Sequence, residues 1–354
     1  MKADETLTAV NLLTGFLGSG KTTLLQQLLG DPAMADVAVL INELGEVGLD
    51  HHLLERIDDN IVLLNSGCLC CTVRGELADA LLDLYTKRSA GDISWFDRIV
   101  IESTGLADPF PALSTLQAHA VLKNHFIIAS VVTTIDAVNG ETQLAGRMEA
   151  VRQAAAADVL VITKTDLADE VATARLHRLL ARLNPAARVI EAGQAKASDF
   201  LASASALNEG ESMHEALHAA DAFARSGDGL HHHHHHHHHD DHADAHEHDE
   251  FDVQSFSLVI EEQLDWTAFG MWLTMLLHRH GDKIFRVKGI LNVAGEAYPV
   301  AVHGVQRLVH PPVHMHEWPD SSRASRLVFI VEGIDPALIR SSFQAFNDLS
   351  AKVL

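Results

Sequence analysis

The sequence predicts an α/β fold in its first part and a small α+β domain in its last part. Three observations carry this prediction. Short β-branched runs alternate with helical stretches over residues 1–193, a histidine-rich low-complexity segment follows, and strand and helix patterns resume near Phe251. Alternating strands and helices imply right-handed crossovers and a mainly parallel sheet. The chain has 354 residues, more than the roughly 250–300 at which single cores stop growing, so we expect two domains.

Seven short runs in the first part have the composition of buried strands. They are Ala9–Thr14, Val37–Asn42, Ile61–Asn65, Arg98–Glu102, Phe126–Ile135, Val159–Thr163 and Arg188–Glu191. Helical patterns lie between most of them, for example over Lys21–Leu29 and Arg74–Tyr85. We therefore assign residues 1–195 to one α/β domain.

The last part of the chain has a different order of elements. Val253–Ile260 alternates like a strand, and Trp266–His280 reads as a helix closed by Gly281. Three further strands and a closing helix are predicted over Lys283–Val293, Ala297–Val305, Arg326–Val331 and Pro336–Leu349. The order βαβββα predicts a small α+β domain over residues 251–354.

Between the two domains, residues 196–250 lose periodicity and then become rich in histidine. Nine consecutive histidines, His231 to His239, grade into a stretch of Asp, Glu and His. Such a composition cannot bury a core, so the segment is predicted to be a linker. Neutral imidazoles bind divalent transition metals, and we expect a weak, unselective metal buffer. The ligands predicted for it are His231, His233, His235, His237, His239, His242, His246 and His248. A plain solvated linker and an engineered tag are the alternatives.

Charge and cysteine usage exclude several classes of protein. A net charge of −22 argues against nucleic acid and anionic membrane surfaces as partners. Residues 1–5 contain no apolar signal region, and no apolar run approaches the roughly 18 residues that span a bilayer. The only cysteines, Cys68, Cys70 and Cys71, lie within four positions, which indicates a reducing compartment. We expect a cytoplasmic protein.

A phosphate-binding loop, Gly-Phe-Leu-Gly-Ser-Gly-Lys-Thr, follows the first strand and opens the first helix. Backbone N–H groups of such a loop surround phosphate oxygens at a helix N-terminus. Lys21 would reach the β and γ phosphates, and Thr22 would give its hydroxyl to Mg²⁺. The nucleotide contacts predicted here are Gly15, Gly18, Ser19, Gly20, Lys21, Thr22 and Thr23. The fold prediction thus becomes a phosphate-loop NTPase domain, and a glycine turn with a surface lysine is the alternative.

Two later strand ends complete the predicted nucleotide site. Glu102 ends a buried-type strand and would bind the hydration shell of Mg²⁺ or position water, while Gly105 could approach the γ-phosphate. Asp166 can accept both N1–H and the exocyclic amine of guanine, and the stem of Lys164 can pack over the purine ring. GTPases usually have Asn where this chain has Thr163, so we expect this loop to be held less firmly. A simple strand-to-loop turn is the alternative.

The three clustered thiols offer soft ligands to one Zn²⁺-like ion. Adjacent Cys70 and Cys71 would make a strained disulfide, so a metal site is favoured over redox chemistry or inert packing. Zn²⁺ prefers four ligands. The fourth would be water, a ligand from a partner, or a carboxylate such as Glu46 or Glu43.

Five motifs, in their order and spacing, resemble those of the CobW-type GTPases, metallochaperones of the nickel and cobalt insertase group. They are Gly15–Thr23, Asn42–Asp50, Gly67–Cys71, Glu102–Pro109 and Thr163–Asp166. Three C-terminal stretches are similar to the C-terminal domain of the family: Arg286–Ile290, Gly304–Val305 and Arg326–Ile330. Departures from the family pattern are Thr163 and Ser103, the latter at a position often occupied by Thr.

The resemblance implies GTP hydrolysis coupled to delivery of a divalent metal, most often zinc, to a client metalloprotein. It implies GTP, Mg²⁺ and Zn²⁺ as cofactors, with Co²⁺ or Ni²⁺ as alternatives to zinc. In such proteins Cys-x-Cys-Cys binds the metal and the segment Asn42–Asp50 acts as a switch. Carried over to this chain, Glu46 becomes a candidate ligand beside Cys70 and Cys71.

Other readings remain open at this point. One is a metal-storage or buffering protein in which nucleotide turnover is incidental. Others are insertion of cobalt for cobalamin synthesis or of the metal of a nitrile hydratase, and a homodimer is a further option. The C-terminal histidines are expected to be surface or partner-facing, with metal binding as the alternative. They are His303, His310, His314 and His316.

Overall fold

A computed structural model describes residues 7–44, 61–66, 73–201 and 252–350. The elements of the N-terminal domain are β1 Thr8–Gly15, α1 Lys21–Leu29, β2 Val37–Leu44, β3 Ile61–Ser66, α2 Val73–Ala90, β4 Arg98–Glu102, α3 Pro109–Ala118, β5 Phe126–Asp136, α4 Gly140–Gly146, α5 Met148–Ala156, β6 Val159–Thr163, α6 Glu170–Leu183, β7 Arg188–Glu191 and α7 Ala197–Leu201. Those of the C-terminal domain are β8 Val253–Ile260, α8 Trp266–His280, β9 Ile284–Leu291, β10 Val300–Val305, β11 Leu308–Val309, β12 Val313–His314, β13 Ser325–Glu332 and α9 Pro336–Ser350.

The N-terminal domain is built on a seven-stranded sheet with the order β3-β2-β4-β1-β5-β6-β7. Every pairing in this sheet is parallel, as the strand–helix alternation predicted. The chain passes from β1 to β2, β3 and β4 on one side of β1 and then crosses to β5 on the other side, so the strand order reverses at β1. Ligands of open α/β sheets bind in the crevice outside the carboxyl ends of the strands at such a switch point.

The short C-terminal helix of this domain closes one side of its core. Ala197 and Phe200 of α7 are buried in the same apolar cluster as Leu25 and Val39. The side-chain amide of Asn11 in β1 also donates to the carbonyl oxygen of Phe200 at 3.2 Å. Residues up to Leu201 thus pack with the parallel sheet.

The C-terminal domain is an antiparallel sheet with the order β11-β10-β9-β13-β8, and β12 pairs with β10. Its core contains α8, α9 and the sheet, where the ring of Trp272 meets Phe343 edge-on at 5.0 Å and Phe329 at 6.3 Å. The six longer elements follow the predicted order βαβββα. β11 and β12 have two residues each, too few to show the alternation that predicts a strand. Within the described ranges, no helix has the length and hydropathy to cross a membrane.

The expectation that the C-terminal histidines lie at the surface is wrong for His303. This residue is in the middle of β10 and is only 5% exposed, because its face of the sheet packs against the N-terminal domain. His314 and His316 are exposed on either side of buried Met315, as their alternation predicted. Across the described part of the chain, no three His, Cys, Asp or Glu residues are grouped so that they could hold a metal.

The two domains meet through a buried ionic network around Asp158, the residue before β6. Arg286 of β9 donates to Asp158 Oδ1 and to the carbonyl oxygen of Ala156. Lys288 Nζ lies 3.6 Å from Asp158 Oδ1, and the backbone N–H of Val131 donates to Asp158 Oδ2 at 2.9 Å. Arg286 and Lys288 are each 3% exposed. Asp158 therefore receives its positively charged partners from the other domain.

This network makes the stability of the protein sensitive to acid. Burial lowers the pKa of His310 to about 4 and holds the pKa of His303 well below its ordinary value. Since the unfolded chain binds these protons near pH 6.5, the free energy of unfolding should fall as the pH falls from about 6.5 to 4. Burial alone would raise the pKa of Asp158, but Arg286, Lys288 and His303 lower it, so its contribution is lost at still lower pH.

Urea denaturation measured between pH 7.5 and 4.5 tests this expectation. Replacing His310 by Asn should flatten the fall between pH 6.5 and 4.5, because one group that resists protonation is gone. A His314→Asn variant is the matched control, since His314 is exposed and should leave the pH profile unchanged. A stability that stays constant down to pH 4.5 would contradict the burial of these imidazoles.

Candidate nucleotide site

The loop between β1 and α1 has the backbone of a phosphate-binding loop. Gly15, Gly18 and Gly20 have φ angles of 142°, 71° and 86°, which side-chain-bearing residues rarely adopt. A Cβ added at Gly15 would lie 2.3 Å from the hydroxyl oxygen of Thr134 and 2.6 Å from that of Ser19. The loop therefore requires glycine at its start, and α1 begins at Lys21 with its N-terminus open toward the loop.

Lys21 is held inside this loop. Its Nζ donates to the carbonyl oxygen of Gly15 at 2.9 Å and to that of Phe16 at 3.3 Å, and the side chain is 9% exposed. Burial lowers the pKa of Lys21, and the negative charge of Glu102 partly opposes this effect. The ammonium group of Lys21 thus lies at the N-terminus of α1, where the helix favours an anionic phosphate.

The predicted magnesium ligands lie next to each other. Thr22 Oγ1 donates to Glu102 Oε1 at 2.6 Å, which joins the start of α1 to the end of β4. A hydroxyl and a carboxylate are hard oxygen donors of the kind that Mg²⁺ prefers. The donor chemistry at this point therefore fits Mg²⁺, held in part by its own water molecules.

The segment after β4 lies directly on the phosphate loop. A Cβ added at Gly105 would be 2.7 Å from the backbone nitrogen of Leu17 and 2.8 Å from its Cα, so only glycine permits this approach. Ser103 donates from its hydroxyl to Thr14 Oγ1 at 2.9 Å, so serine makes a contact with β1 at the position where the family often has threonine. This places Gly105 beside the phosphate loop, while its approach to the γ-phosphate stays a prediction.

Two glutamines hold this segment, and sequence reasoning missed both. The buried amide of Gln153 in α5 donates to the carbonyl oxygens of Gly105 and Ala107 at 3.2 and 3.0 Å. Gln306, after β10 in the C-terminal domain, donates to Asp108 at 3.2 Å. The C-terminal domain therefore contacts the segment that follows Gly105.

The loop at the end of β6 is attached to the phosphate loop by Thr163. Its hydroxyl lies 2.7 Å from the carbonyl oxygen of Ser19 and 3.2 Å from that of Ile135. Threonine thus anchors this loop through its hydroxyl, and the expectation that it holds the loop less firmly than asparagine stays a prediction. A hydroxyl at the end of a buried strand reaches the adjacent loop directly, without the longer side chain of asparagine.

The remaining residues of the predicted base-recognition loop follow a left-handed turn. Lys164 has a φ of 55°, and its Nζ lies 2.7 Å from Oδ2 of Asp136 at the end of β5. Asp166 is exposed within the 3₁₀ turn Thr165–Leu167. Asp136 was not predicted from the sequence, because an Asp at a strand end has no motif of its own.

The predicted zinc ligands Cys68, Cys70, Cys71 and Glu46 lie outside the described residues, as do the histidine tract His231–His248 and the predicted switch beyond Leu44. The backbone that leads to them is described. β2 pairs with β3 in parallel, and Leu44 is the partner of Ser66. Both strands thus end at the same edge of the sheet as the phosphate loop.

A glycine loop between a central parallel strand and a helix, with a lysine, a hydroxyl and a carboxylate at its mouth, defines a phosphate-loop nucleotide-binding protein. The family model "CobW/HypB/UreG, nucleotide-binding domain" matches residues 9–191, and the model "Cobalamin synthesis protein cobW C-terminal domain" matches residues 253–347. The chain belongs to the CobW/HypB/UreG family and carries the cobW C-terminal domain, which confirms the resemblance seen in its motifs.

Individual relatives cover nearly the whole chain. It is 34% identical over 335 residues to the "Zinc chaperone YjiA" of Escherichia coli (strain K12), covering 95% of this chain and 97% of that protein. It is 31% identical over 369 residues to the "Zinc chaperone CobW" of Pseudomonas aeruginosa, covering 95% and 90%. The solved structure titled "Crystal structure of Zn(II)-bound YjiA GTPase from E. coli" superposes with a TM-score of 0.66 at 29% identity, covering 96% of this chain and 99% of that one.

Proposed function

We propose that this protein is a GTP-hydrolysing metallochaperone, which binds a divalent metal, zinc first of all, at Cys68, Cys70 and Cys71 and transfers it to a client metalloprotein. The observation that carries the proposal is the pairing of Leu44 with Ser66 beside the phosphate loop. It brings the chain leading to the thiols to the nucleotide edge of the sheet. The relatives named as zinc chaperones support the choice of metal.

The nucleotide half of the proposal assigns a role to each loop residue. Backbone N–H groups from Gly15 to Thr23 bind phosphate oxygens, and Lys21 carries positive charge to the β and γ phosphates. Thr22 and Glu102 would hold Mg²⁺, which would neutralise charge on those phosphates, or Glu102 would position the attacking water. Because charge spreads over the γ-phosphoryl group in the transition state, these fixed contacts lower the barrier to hydrolysis.

The metal half of the proposal rests on how closely the predicted zinc ligands follow two paired strand ends in the sequence. Glu46 follows Leu44 by two residues, and Cys68 follows Ser66 by two residues. The described strands β2 and β3 end side by side, and the proposal is that the segments after them meet at the metal. Thiolates suit Zn²⁺ among the common divalent ions, and a carboxylate from Glu46 would complete a four-coordinate site with the three cysteines.

Coupling of the two halves follows from what touches the γ-phosphate side of the loop. Gly105 lies against Leu17, and the chain that follows reaches Gln306 of the C-terminal domain through Asp108. A γ-phosphate that orders the segments after β2 and β4 would thus alter the metal ligands and the C-terminal domain together. We propose that hydrolysis presents or releases the metal and that the C-terminal domain contacts the client.

The proposal extends to the organisation and setting of the chain. The GTPase domain extends to Leu201, six residues beyond the boundary expected from the sequence, because α7 packs in its core. Residues 202–250 form the histidine-rich linker and 251–354 the client-facing domain, in a cytoplasmic protein. The nine consecutive histidines favour metal buffering as a second function, and a protein with buffering alone would bind metal independently of nucleotide.

Zinc affinity should differ about five- to 150-fold between the GDP state and a non-hydrolysable GTP state, the usual range when two sites bias one two-state element. Competition titration with a chromophoric chelator measures it. Replacing Cys70 and Cys71 together by Ser should remove the tight site and this difference, with nucleotide binding intact. Glu46→Ala should reduce the difference. Equal zinc affinity in both states would favour buffering alone.

Deleting His231–His248 should remove several weak zinc sites and leave one tight site, because flexible imidazoles impose no geometry on the metal. Equilibrium dialysis against Zn²⁺ measures the stoichiometry. A variant with the same histidines replaced by Gln keeps the length and acidic charge of the segment and should match the deletion. Unchanged stoichiometry in both variants would leave the tract as a linker only.

A further inference from the structure

Asp136, the last residue of β5, connects the base-recognition loop to the rest of the sheet. The residue is 1% exposed, and in the register of β5 with β6 it is the partner of Thr163. Its Oδ2 accepts from Lys164 Nζ at 2.7 Å. Its Oδ1 accepts from the backbone N–H groups of Val138 and Asn139 at 2.8 and 3.2 Å. One carboxylate thus holds both Lys164 and the turn before α4.

Lys164 needs such support because of its backbone. A φ of 55° is uncommon for a residue with a long side chain, and it persists where the surroundings determine it. The turn that follows is closed by the backbone N–H of Leu167 donating to the carbonyl oxygen of Lys164 at 3.0 Å. Asp166 lies inside this turn, so the direction of its carboxylate depends on Lys164.

We propose that Asp136 is a positioning residue for base recognition, which fixes Lys164 and through it the orientation of Asp166, so that the loop favours guanine over adenine. The inference rests on the proposed function, because it takes GTP as the substrate. The Lys164 side chain remains 35% exposed with its ammonium group anchored. The aliphatic part of the side chain can therefore pack along a purine ring while Asp136 holds the ammonium group in place.

The charge of Asp136 suits this role. Burial alone would raise the pKa of its carboxyl, but hydrogen bonds from Lys164, from the Asn139 side chain and from two backbone N–H groups hold the pKa below its ordinary value. The carboxylate is therefore ionised at neutral pH. A merely structural role at the start of α4 would affect the binding of every nucleotide equally, whereas a positioning role changes the choice of base.

Asp136→Asn is the sharpest test, because the amide oxygen can still accept from Val138 and Asn139 while the ion pair with Lys164 is lost. The preference for GTP over ATP analogues, measured by calorimetric titration of the full chain, should fall about tenfold, the size of one charged hydrogen bond. The KM for GTP should rise while kcat at saturating GTP stays near that of the parent. The phosphate contacts that determine kcat are untouched.

Two further variants separate positioning from loss of fold. Asp169→Asn is the matched control: Asp169 caps α6 through the backbone N–H of Ala172, where Asn serves equally well, so the preference should not change. Asn139→Ala alters an exposed residue whose amide donates to Asp136 Oδ2 at 3.1 Å. It should lower the preference in the same direction but less, even if Asp136→Asn does not fold.

A double variant tests whether Asp136 acts through Lys164. Lys164→Met alone and Lys164→Met with Asp136→Asn should lose the same preference for GTP, because the second change removes nothing further. Additive losses would overturn the inference, as would a parent-like preference in both Asp136→Asn and Asn139→Ala. A parent protein that binds ATP as well as GTP would instead overturn the guanine assignment in the proposed function.

Discussion

GTP turnover should fall about 10²–10³-fold when Lys21 is replaced by Ala, the usual cost of one strong transition-state contact. Lys21 is the cation inside the phosphate loop, 2.9 Å from the carbonyl oxygen of Gly15. Its removal takes positive charge from the place where negative charge is spread over the phosphate oxygens in the transition state. Steady-state release of phosphate at saturating GTP and Mg²⁺ measures the effect.

The fold should survive this substitution, because burial already lowers the pKa of Lys21 and so disfavours its charged form. Urea denaturation should therefore give a midpoint close to that of the parent. Lys87→Ala is the matched control, since Lys87 forms an exposed pair with Asp83 on α2 at 2.7 Å and should keep full turnover. Near-parental turnover in Lys21→Ala would show that this loop is not the site of hydrolysis.

The free energy of unfolding should fall by about 3–5 kcal/mol when Asp158 is replaced by Asn, the usual cost of removing one partner from a buried ion pair. Arg286 and Lys288, each 3% exposed, would keep their positive charges without the carboxylate that compensates them. Lys288 has a pKa of about 8 because of burial, so it can lose its proton and recover part of this cost as the pH rises. Urea denaturation followed by tryptophan fluorescence measures the change.

Asp282→Asn is the matched control for this prediction. Asp282 pairs with Arg307 at 2.6 Å, but both side chains are largely exposed, and exposed pairs contribute about 0–1 kcal/mol. A small effect of Asp158→Asn, equal to that of Asp282→Asn, would contradict the claim that the network is buried between the domains. The pair of variants thus isolates burial as the variable.

Two contacts join the C-terminal domain to segments at the candidate nucleotide site. Asp158 precedes β6, which ends in the base-recognition loop, and it takes its charge partner Arg286 from the C-terminal domain. Gln306 of that domain also contacts Asp108 in the segment after β4. The residue before β6 and the segment after β4 are therefore both in contact with the domain that we propose faces the client.

The sequence by itself determined the features that depend on neighbours along the chain. The ends of β4, β6 and β7 lie at the predicted residues, because each is a short β-branched run between segments of different composition. The glycines of the phosphate loop were predicted from the motif. The positive φ angles of Gly18 and Gly20 explain why glycine occupies these positions. The place of Glu102 beside Thr22 followed from the motif as well.

Only the tertiary structure decided which groups meet across the fold. Nothing near His303 in the sequence indicates that the other domain covers it, and nothing near Thr163 shows that its hydroxyl reaches Ser19 at 2.7 Å. Asp136 and Gln153 likewise act on partners 28 and 48 positions away. Propensity and periodicity describe the chain over a few residues, whereas burial, pKa and hydrogen-bond partners depend on surfaces that come together only when the sheet and the two domains have packed.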